Sequence, residues 1–226
     1  SLGYSAASDV SAHLKIDFER DTEALLRVSD SLEPELLRGF LARHETGLDI
    51  LNLPLTQKYM VAVCRVLAVL KDAYPAVIVD FGGLQTEGAQ ALLDLSDAIL
   101  LVTTADPASV KRAYADRQAL IGMHFQLDKV LVAVNMRDPD SQAPVPEIAK
   151  NIQLEIAGEI PLDRESAAEA SACGAPLVVA FSETACASAL RGIAKKIRGT
   201  GEYGSGAQDG SVRDASAGGA NSAQAG

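Results

Sequence analysis

An α/β fold, with a mainly parallel sheet and crossover helices on both faces, is predicted from three observations. Ala76-Val77-Ile78-Val79-Asp80-Phe81-Gly82-Gly83 runs four apolar residues straight into a carboxylate and two glycines, as a strand buried on both faces does at a ligand edge. The runs from Ala98 to Thr104 and from Val130 to Asn135 end in the same manner. Helix-period segments, Gly88 to Leu95 and Ser109 to Met123, lie between them, so right-handed βαβ crossovers are the simplest topology. Sheets of this kind bind ligands outside the carboxyl ends of their strands, where Asp80, Thr103, Thr104 and Asn135 are expected to gather.

Taken in order, residues 1–31 are mixed, polar and weakly periodic, a poorly defined N-terminal segment. From Leu32 to Arg43, Leu36, Leu37, Phe40 and Leu41 keep helical spacing behind Glu33, Pro34 and Glu35, residue types that suit a first turn. Gly47 breaks that pattern, and Leu48 to Leu53 alternates as a strand closed by Pro54. Gln57 to Lys71 carries a helical stripe of Val61, Cys64, Val66, Leu67 and Leu70, which Pro75 stops. After Asn135, a loop containing Pro139 and Pro144 leads to a short helix over Glu147 to Ile152 and a strand over Ile156 to Ile160. Arg164 to Cys173 follows as an Ala-rich helix with Gly174 as its stop. Ser182 is the expected N-cap of a last helix, Glu183 to Arg198, with Leu190, Ile193 and Ile197 on one face. From Gly199 onward, small and polar residues replace large apolar ones, so residues 199–226 are expected to be a disordered tail and residues 32–198 the folded domain.

With 226 residues and 48% hydrophobic content, the chain can bury one full core. Its formal net charge of −10 argues against a nucleic-acid partner. Cys64, Cys173 and Cys186 lack metal-ligand spacing and read as small, reduced core residues of a cytoplasmic protein. No apolar run approaches the ~20 residues of a membrane-spanning helix and no signal pattern opens the chain, so a soluble protein is expected. The chain begins with Ser1 rather than Met, as a processed, trimmed or incomplete product does. His13, His44 and His124 stand far apart without ligand spacing, and no Gly-x-Ser-x-Gly elbow is present. Arg191, Lys195, Lys196 and Arg198 make the last helix basic. Its apolar face has no aromatics, so packing on the core with a wet basic face is expected, and membrane contact at most peripheral.

A strand-terminal Asp followed by glycine suits a site for Mg²⁺ beside a phosphate chain: the carboxylate supplies charge for a hard cation, and the glycine lets a backbone N–H approach phosphate. Asp80 with Gly82 or Gly83 fits those roles. Asp80-Phe81-Gly82 is not a kinase signature, because no His-Arg-Asp loop and no glycine-rich loop with a strand lysine accompany it. Val77-Ile78-Val79-Asp80, the run Leu95 to Thr104, Ser109-Val110-Lys111, Val134-Asn135-Met136-Arg137 and Ile160-Pro161-Leu162-Asp163 resemble, in order and spacing, the ParA/MinD superfamily of deviant-Walker ATPases. The stretch from Leu41 to Pro54 is similar to the CpaE/TadZ branch, linked with polar localisation and assembly of Tad (Flp) pili. The resemblance covers about Leu32 to Arg198 and implies a P-loop NTPase fold of the SIMIBI kind, with ATP and Mg²⁺ as cofactors. It further implies that Asp80 is the Walker B acid and metal-side residue, and that Gly83 lies in the switch turn. Asn135 would contact the adenine edge, with Pro161 and Asp163 lining the base pocket. A nucleotide-dependent homodimer is implied, working on pilus or secretion assembly proteins at the cell pole or the inner face of the membrane.

The departure from that family is large. Its members open with a glycine-rich loop carrying a signature lysine, and no G-K-[ST] segment occurs in this sequence. Gly82-Gly83 cannot replace it, since the cradle needs successive N–H groups at a helix start plus a lysine and a hydroxyl. Two readings stand side by side: the P-loop strand precedes Ser1, or the chain is a nucleotide-free scaffold. The resemblance places the missing P-loop strand beside the strand ending at Asp80, so its absence would leave that strand's N–H and C=O groups unpaired or force a neighbour to close the gap.

Overall fold

The computed structural model describes residues 9–16, 21–138 and 143–200, so most of the tail expected to be disordered lies outside the described residues. Helices α1 (Asp9–His13) and α2 (Thr22–Arg27) come first, the latter capped by Asp21, whose Oδ1 accepts the Ala24 N–H at 2.9 Å. Helix α3 is confined to Pro34–Arg38. The helix expected to reach Arg43 stops early because Ala42–Arg43 (β1) pairs antiparallel with Asp49–Ile50 (β2), in a hairpin turned at Gly47 with φ 86°. That hairpin also corrects the strand expected over Leu48 to Leu53. Its first half pairs locally, where loop closure costs little entropy, and residues 51–55 join no ladder among the described residues. Leu51, Leu53 and Leu55 pack instead on the first core.

Helix α4 (Met60–Ala73) organises that core. It buries Met60, Val63, Val66, Leu67 and Leu70 against Leu25, Leu26, Leu37 and Leu41, while Val61, expected on the apolar stripe, faces solvent. The segment after α4 is the main departure from expectation. Residues 76–81 keep the alternation of a strand, with Val77, Val79 and Phe81 on the α4 core and Ile78 91% exposed, yet they form no backbone hydrogen bond among the described residues. The strand expected over Val77 to Asp80 therefore has the period of a strand and no ladder partner among the described residues.

Helix α5 (Ala89–Asp94) leads to a three-stranded sheet built by β3 (Ile99–Thr104), α6 (Pro107–Gly122), β4 (Val130–Arg137), α7 (Val145–Ile152) and β5 (Glu155–Pro161). Helices α8 (Arg164–Cys173), α9 (Leu177–Ala180) and α10 (Ala185–Thr200) close the described chain, α9 being unanticipated. The strand order is β3-β4-β5 and both pairings are parallel, Ile99 opposite Val130 and Leu131 opposite Glu155. As the central strand, β4 is buried on both faces from Val130 to Val134, which is why its sequence runs apolar without alternation.

On one face Val132 and Val134 meet Val110 and Ala113 of α6 and Ile148 and Ile152 of α7. On the other, α10 lies on β5, with Arg191 and Lys195 outward as expected. Gly158, opposite Ala133, permits the approach, since a Cβ there would sit 2.7 Å from Ile193 Cγ1. Lys196 fastens the contact, donating to Ile156 O at 2.9 Å and pairing with Glu155 at 2.7 Å. The cap of α10 is Thr184, whose Oγ1 accepts the Ala187 N–H at 3.1 Å; the expected cap, Ser182, donates to Glu183. That second face is covered at β5 and open at β3, where Leu100 is 37% and Val102 61% exposed.

Candidate functional site

The parallel register carries Thr104, Asn135 and Pro161 to the carboxyl edge of the sheet. Thr104 pairs with Asn135, Arg137 pairs with Pro161, and the Leu162 N–H donates to Arg137 O at 3.0 Å. Between Val134 and Arg137 the β4–β5 register slips, and Met136 takes φ 53°, a left-handed conformation that costs a residue with a Cβ on the order of 1 kcal/mol. The slip takes Asn135 out of the β5 ladder. Its amide makes no side-chain hydrogen bond among the described residues, which leaves donor and acceptor available at the edge.

Three of the polar side chains expected at this edge are already engaged. Thr104 Oγ1 donates to Asp106 Oδ2 at 2.5 Å and lies 2.8 Å from Ser109 Oγ, while Asp106 Oδ1 caps α6 by accepting from Ala108 N and Ser109 N. The Thr104 and Ser109 hydroxyls, followed by the backbone donors, hold the Asp106 carboxyl well below the usual carboxylate range. Asp163 is likewise an N-cap, its Oδ1 accepting the Ser166 N–H at 3.0 Å at the start of α8. Thr103 is buried and its hydroxyl turns back to Thr104 O. The Asp106-Pro107 pair was the sequence signal for that cap.

Sequence reasoning also missed Arg137. Its side chain is 7% exposed, donates from Nε to Glu159 Oε2 at 2.9 Å and from Nη1 to Asp138 O at 3.2 Å. It braces the bulged end of β4 against β5 and spends its charge on Glu159.

Asp80 stands apart from this group. Its segment is unpaired, and Phe81 and Leu84 pack with Ile99 and Val130, residues that open β3 and β4 rather than end them. The structure therefore places Asn135 and Pro161 at one edge of the sheet, with Asp163 two residues beyond Pro161, and does not bring Asp80 to the same ladder. Asp80 is exposed and has no hydrogen-bond partner among the described residues, so its carboxylate is available to a hydrated cation. Gly83 has φ 110° and nothing within 4 Å of where a Cβ would lie, which leaves its backbone open to approach. Asp80 thus offers a carboxylate to a cation and Asn135 an amide to a polar ligand edge, and the described residues offer no lysine-bearing glycine loop at a helix start to cradle phosphate. No group of three or more His, Cys, Asp or Glu able to hold a metal occurs among the described residues.

Two of the histidines have structural partners. His44 is buried, with Nδ1 accepting the Thr46 N–H at 3.2 Å and Nε2 2.9 Å from Gly174 O, and His13 Nδ1 lies 2.8 Å from Ser171 Oγ. Both histidines thus hold the C-terminal end of α8. Burial pushes the Cys64 and Cys186 thiols up, whereas Cys173, expected in the core, is exposed at the last position of α8. No described helix is long and apolar enough to cross a membrane.

No protein-family model matches the chain, and no curated protein matches its sequence. Solved structures do match. A ParA family ATPase from Chlorobium tepidum superposes with a TM-score of 0.69 at 21% identity, covering 81% of this chain and 76% of that one. MinD of Aquifex aeolicus, in its complex with MinC, gives 0.69 at 19% identity over 84% of this chain and 78% of its own. The septum site-determining protein MinD from Pyrococcus horikoshii, complexed with Mg-ADP, gives 0.63 at 16%, over 83% and 77%. In architecture, the chain has the ParA/MinD P-loop NTPase fold.

Proposed function

We propose that the chain is the ATPase-fold domain of a nucleotide-dependent, dimerising switch of the CpaE/TadZ type, acting in localisation and assembly of Tad pilus or secretion machinery. The observation that carries the proposal is the likeness of fold to ParA and MinD across four-fifths of the chain. The Leu41 to Pro54 resemblance supports the finer assignment. In this reading Asn135 faces the adenine edge, with Pro161 and Asp163 beside it. Asp80 holds Mg²⁺ through water, and Gly82 and Gly83 supply backbone N–H groups toward the terminal phosphate. When bound, Mg²⁺ would neutralise phosphate charge for attack by water.

The rival reading is a scaffold that keeps the fold without turnover. It is favoured by the unpaired segment 76–81, which holds Asp80 out of any ladder among the described residues. Isothermal titration separates the two. The 226-residue chain is expected not to bind ATP tightly, because without a phosphate cradle Asp80 presents only negative charge to a tetra-anion. A longer form carrying a glycine-rich lysine loop should gain Mg²⁺-dependent binding near micromolar, about −8 kcal/mol, and Asp80→Ala should weaken it. If no upstream segment confers binding, the scaffold reading stands. Tight Mg²⁺-dependent binding by the 226-residue chain would overturn the assignment of roles.

A further inference from the structure

A cavity of about 270 Å³ opens where β2 begins and α4 ends, lined by Pro34, Leu37, Arg38, Leu41, Arg43, Gly47, Asp49, Ala73 and Tyr74. It is remote from the candidate nucleotide site. Six residues of extended chain separate Tyr74 from Asp80, on the order of 20 Å. Pro34, Leu37, Leu41 and Ala73 supply aliphatic wall, and three charged groups, the Tyr74 hydroxyl and the Gly47 backbone supply the rest.

The charged groups are not mutually satisfied. Asp49 is the inner one, its side chain 14% exposed, and it accepts the Tyr74 hydroxyl at 2.7 Å. Burial, followed by that bond to Asp49, pushes the Tyr74 hydroxyl up, so it stays protonated and committed. Arg43 reaches Asp49 only at 3.8 Å, at the outer limit of an ion pair. The Arg38 side chain makes no ion pair or hydrogen bond among the described residues. Two guanidinium groups therefore have spare donors at the rim of one open cavity of mixed polar and apolar lining that holds a single carboxylate. In a chain of net charge −10, that local excess of one positive charge stands out.

We propose that this cavity binds a monoanionic carboxylate on a short aliphatic stem, the carboxylate between Arg38 and Arg43 and the stem against Leu37 and Leu41. The guanidinium fork matches the planar carboxylate, and one excess positive charge balances one negative charge rather than the two of phosphate. The volume admits a stem of a few carbons and excludes a nucleotide. Two sources offer this chemistry: a free short-chain acid, or the C-terminal carboxylate of a polypeptide ending in an aliphatic residue.

The test is a ¹H–¹⁵N titration of the 226-residue chain with butyrate, N-acetyl-leucine, their two amides and inorganic phosphate. Saturable shifts at Arg38, Arg43, Asp49 and Tyr74, with affinities on the order of millimolar, are expected for the acids and not for the amides. Stronger binding of N-acetyl-leucine identifies a polypeptide terminus as the source, and stronger binding of butyrate a free acid. Arg38→Gln should weaken binding roughly tenfold with an unchanged melting temperature, since Arg38 has no partner to lose. Asp80→Ala should leave binding as it was. Equal response to acids and amides, preference for phosphate, or an Arg38→Gln variant that binds normally would each overturn the proposal. Should Arg38→Gln melt lower, Arg38→Lys, which keeps the charge and loses the fork, must still weaken binding.

Discussion

Trimming Ile78 to alanine tests the most unusual feature of the chain, an apolar strand-like segment without a partner. Ile78 is 91% exposed, so little area returns to water when its side chain is shortened. At about 25 cal/mol per Å² the change amounts to about 0.3 kcal/mol or less. In a complete sheet the same isoleucine would be covered on its outer face, and its truncation would cost about 2–5 kcal/mol. Urea unfolding of Ile78→Ala against the parent chain resolves these values easily. Leu25→Ala, at a residue with 0% exposure, serves as the internal standard and should lose about 2–5 kcal/mol. A loss above about 1 kcal/mol for Ile78→Ala would refute the open segment and show that a neighbour covers it in solution. A loss that grows with protein concentration would identify that neighbour as another copy.

Gly158→Ala should cost about 1–3 kcal/mol, because its Cβ would sit 2.7 Å from Ile193 Cγ1, and Ile193→Ala introduced beside it should return part of the loss, as a double-mutant cycle would reveal. Asp106 has a depressed folded-state pKa, so its stabilising contribution is complete above the unfolded carboxylate range and fades as pH falls through the folded value; Asp106→Asn should flatten the acid limb of a pH–stability curve. Tyr74 has a raised pKa, so stability should fall as pH rises from the unfolded tyrosine value through the folded one, and Tyr74→Phe should remove that slope from urea midpoints measured across the window. Co-sedimentation of the chain with liposomes should be weak and salt-sensitive, since Ile193 is buried on β5 and Lys196 is tied to Glu155; strong binding to neutral vesicles would show that α10 leaves the sheet.

The parallel βαβ run from β3 to β5 was legible because burial on both faces demands uninterrupted apolar residues, and the crossover helices between them need a periodic stripe. Helix α8 was read with its bounds intact, since an Asp cap and a Gly stop are local signals. The hairpin at Gly47 was not legible, because a two-residue ladder leaves almost no pattern and Leu36 to Leu41 happened to keep helical spacing. Val77 to Asp80 has every local mark of a buried strand, but pairing depends on a neighbour that no local pattern encodes. At the candidate site, residue type at the strand ends suggested Asp80 and Asn135, and the family resemblance suggested Asp163. Neither could show that Asp163 spends an oxygen on capping, nor that Arg137, which looks like a free cation, is consumed by Glu159.

The free edge of β3 has a consequence for how the molecule behaves in company. Ile99-Leu100-Leu101-Val102-Thr103-Thr104 contains no charge, no proline and no glycine, and among the described residues one row of its peptide groups meets no strand, beside exposed Leu100 and Val102. Protective devices of natural sheet margins, an inward lysine, a bulge or a breaking proline, are absent from it. Such a margin is a template for cross-molecular strand addition, the step that begins ordered aggregation. Asp97 and Asp106, flanking the run at either end, are the nearest gatekeeping charges in the sequence, and together they are the negative charge that meets an approaching strand.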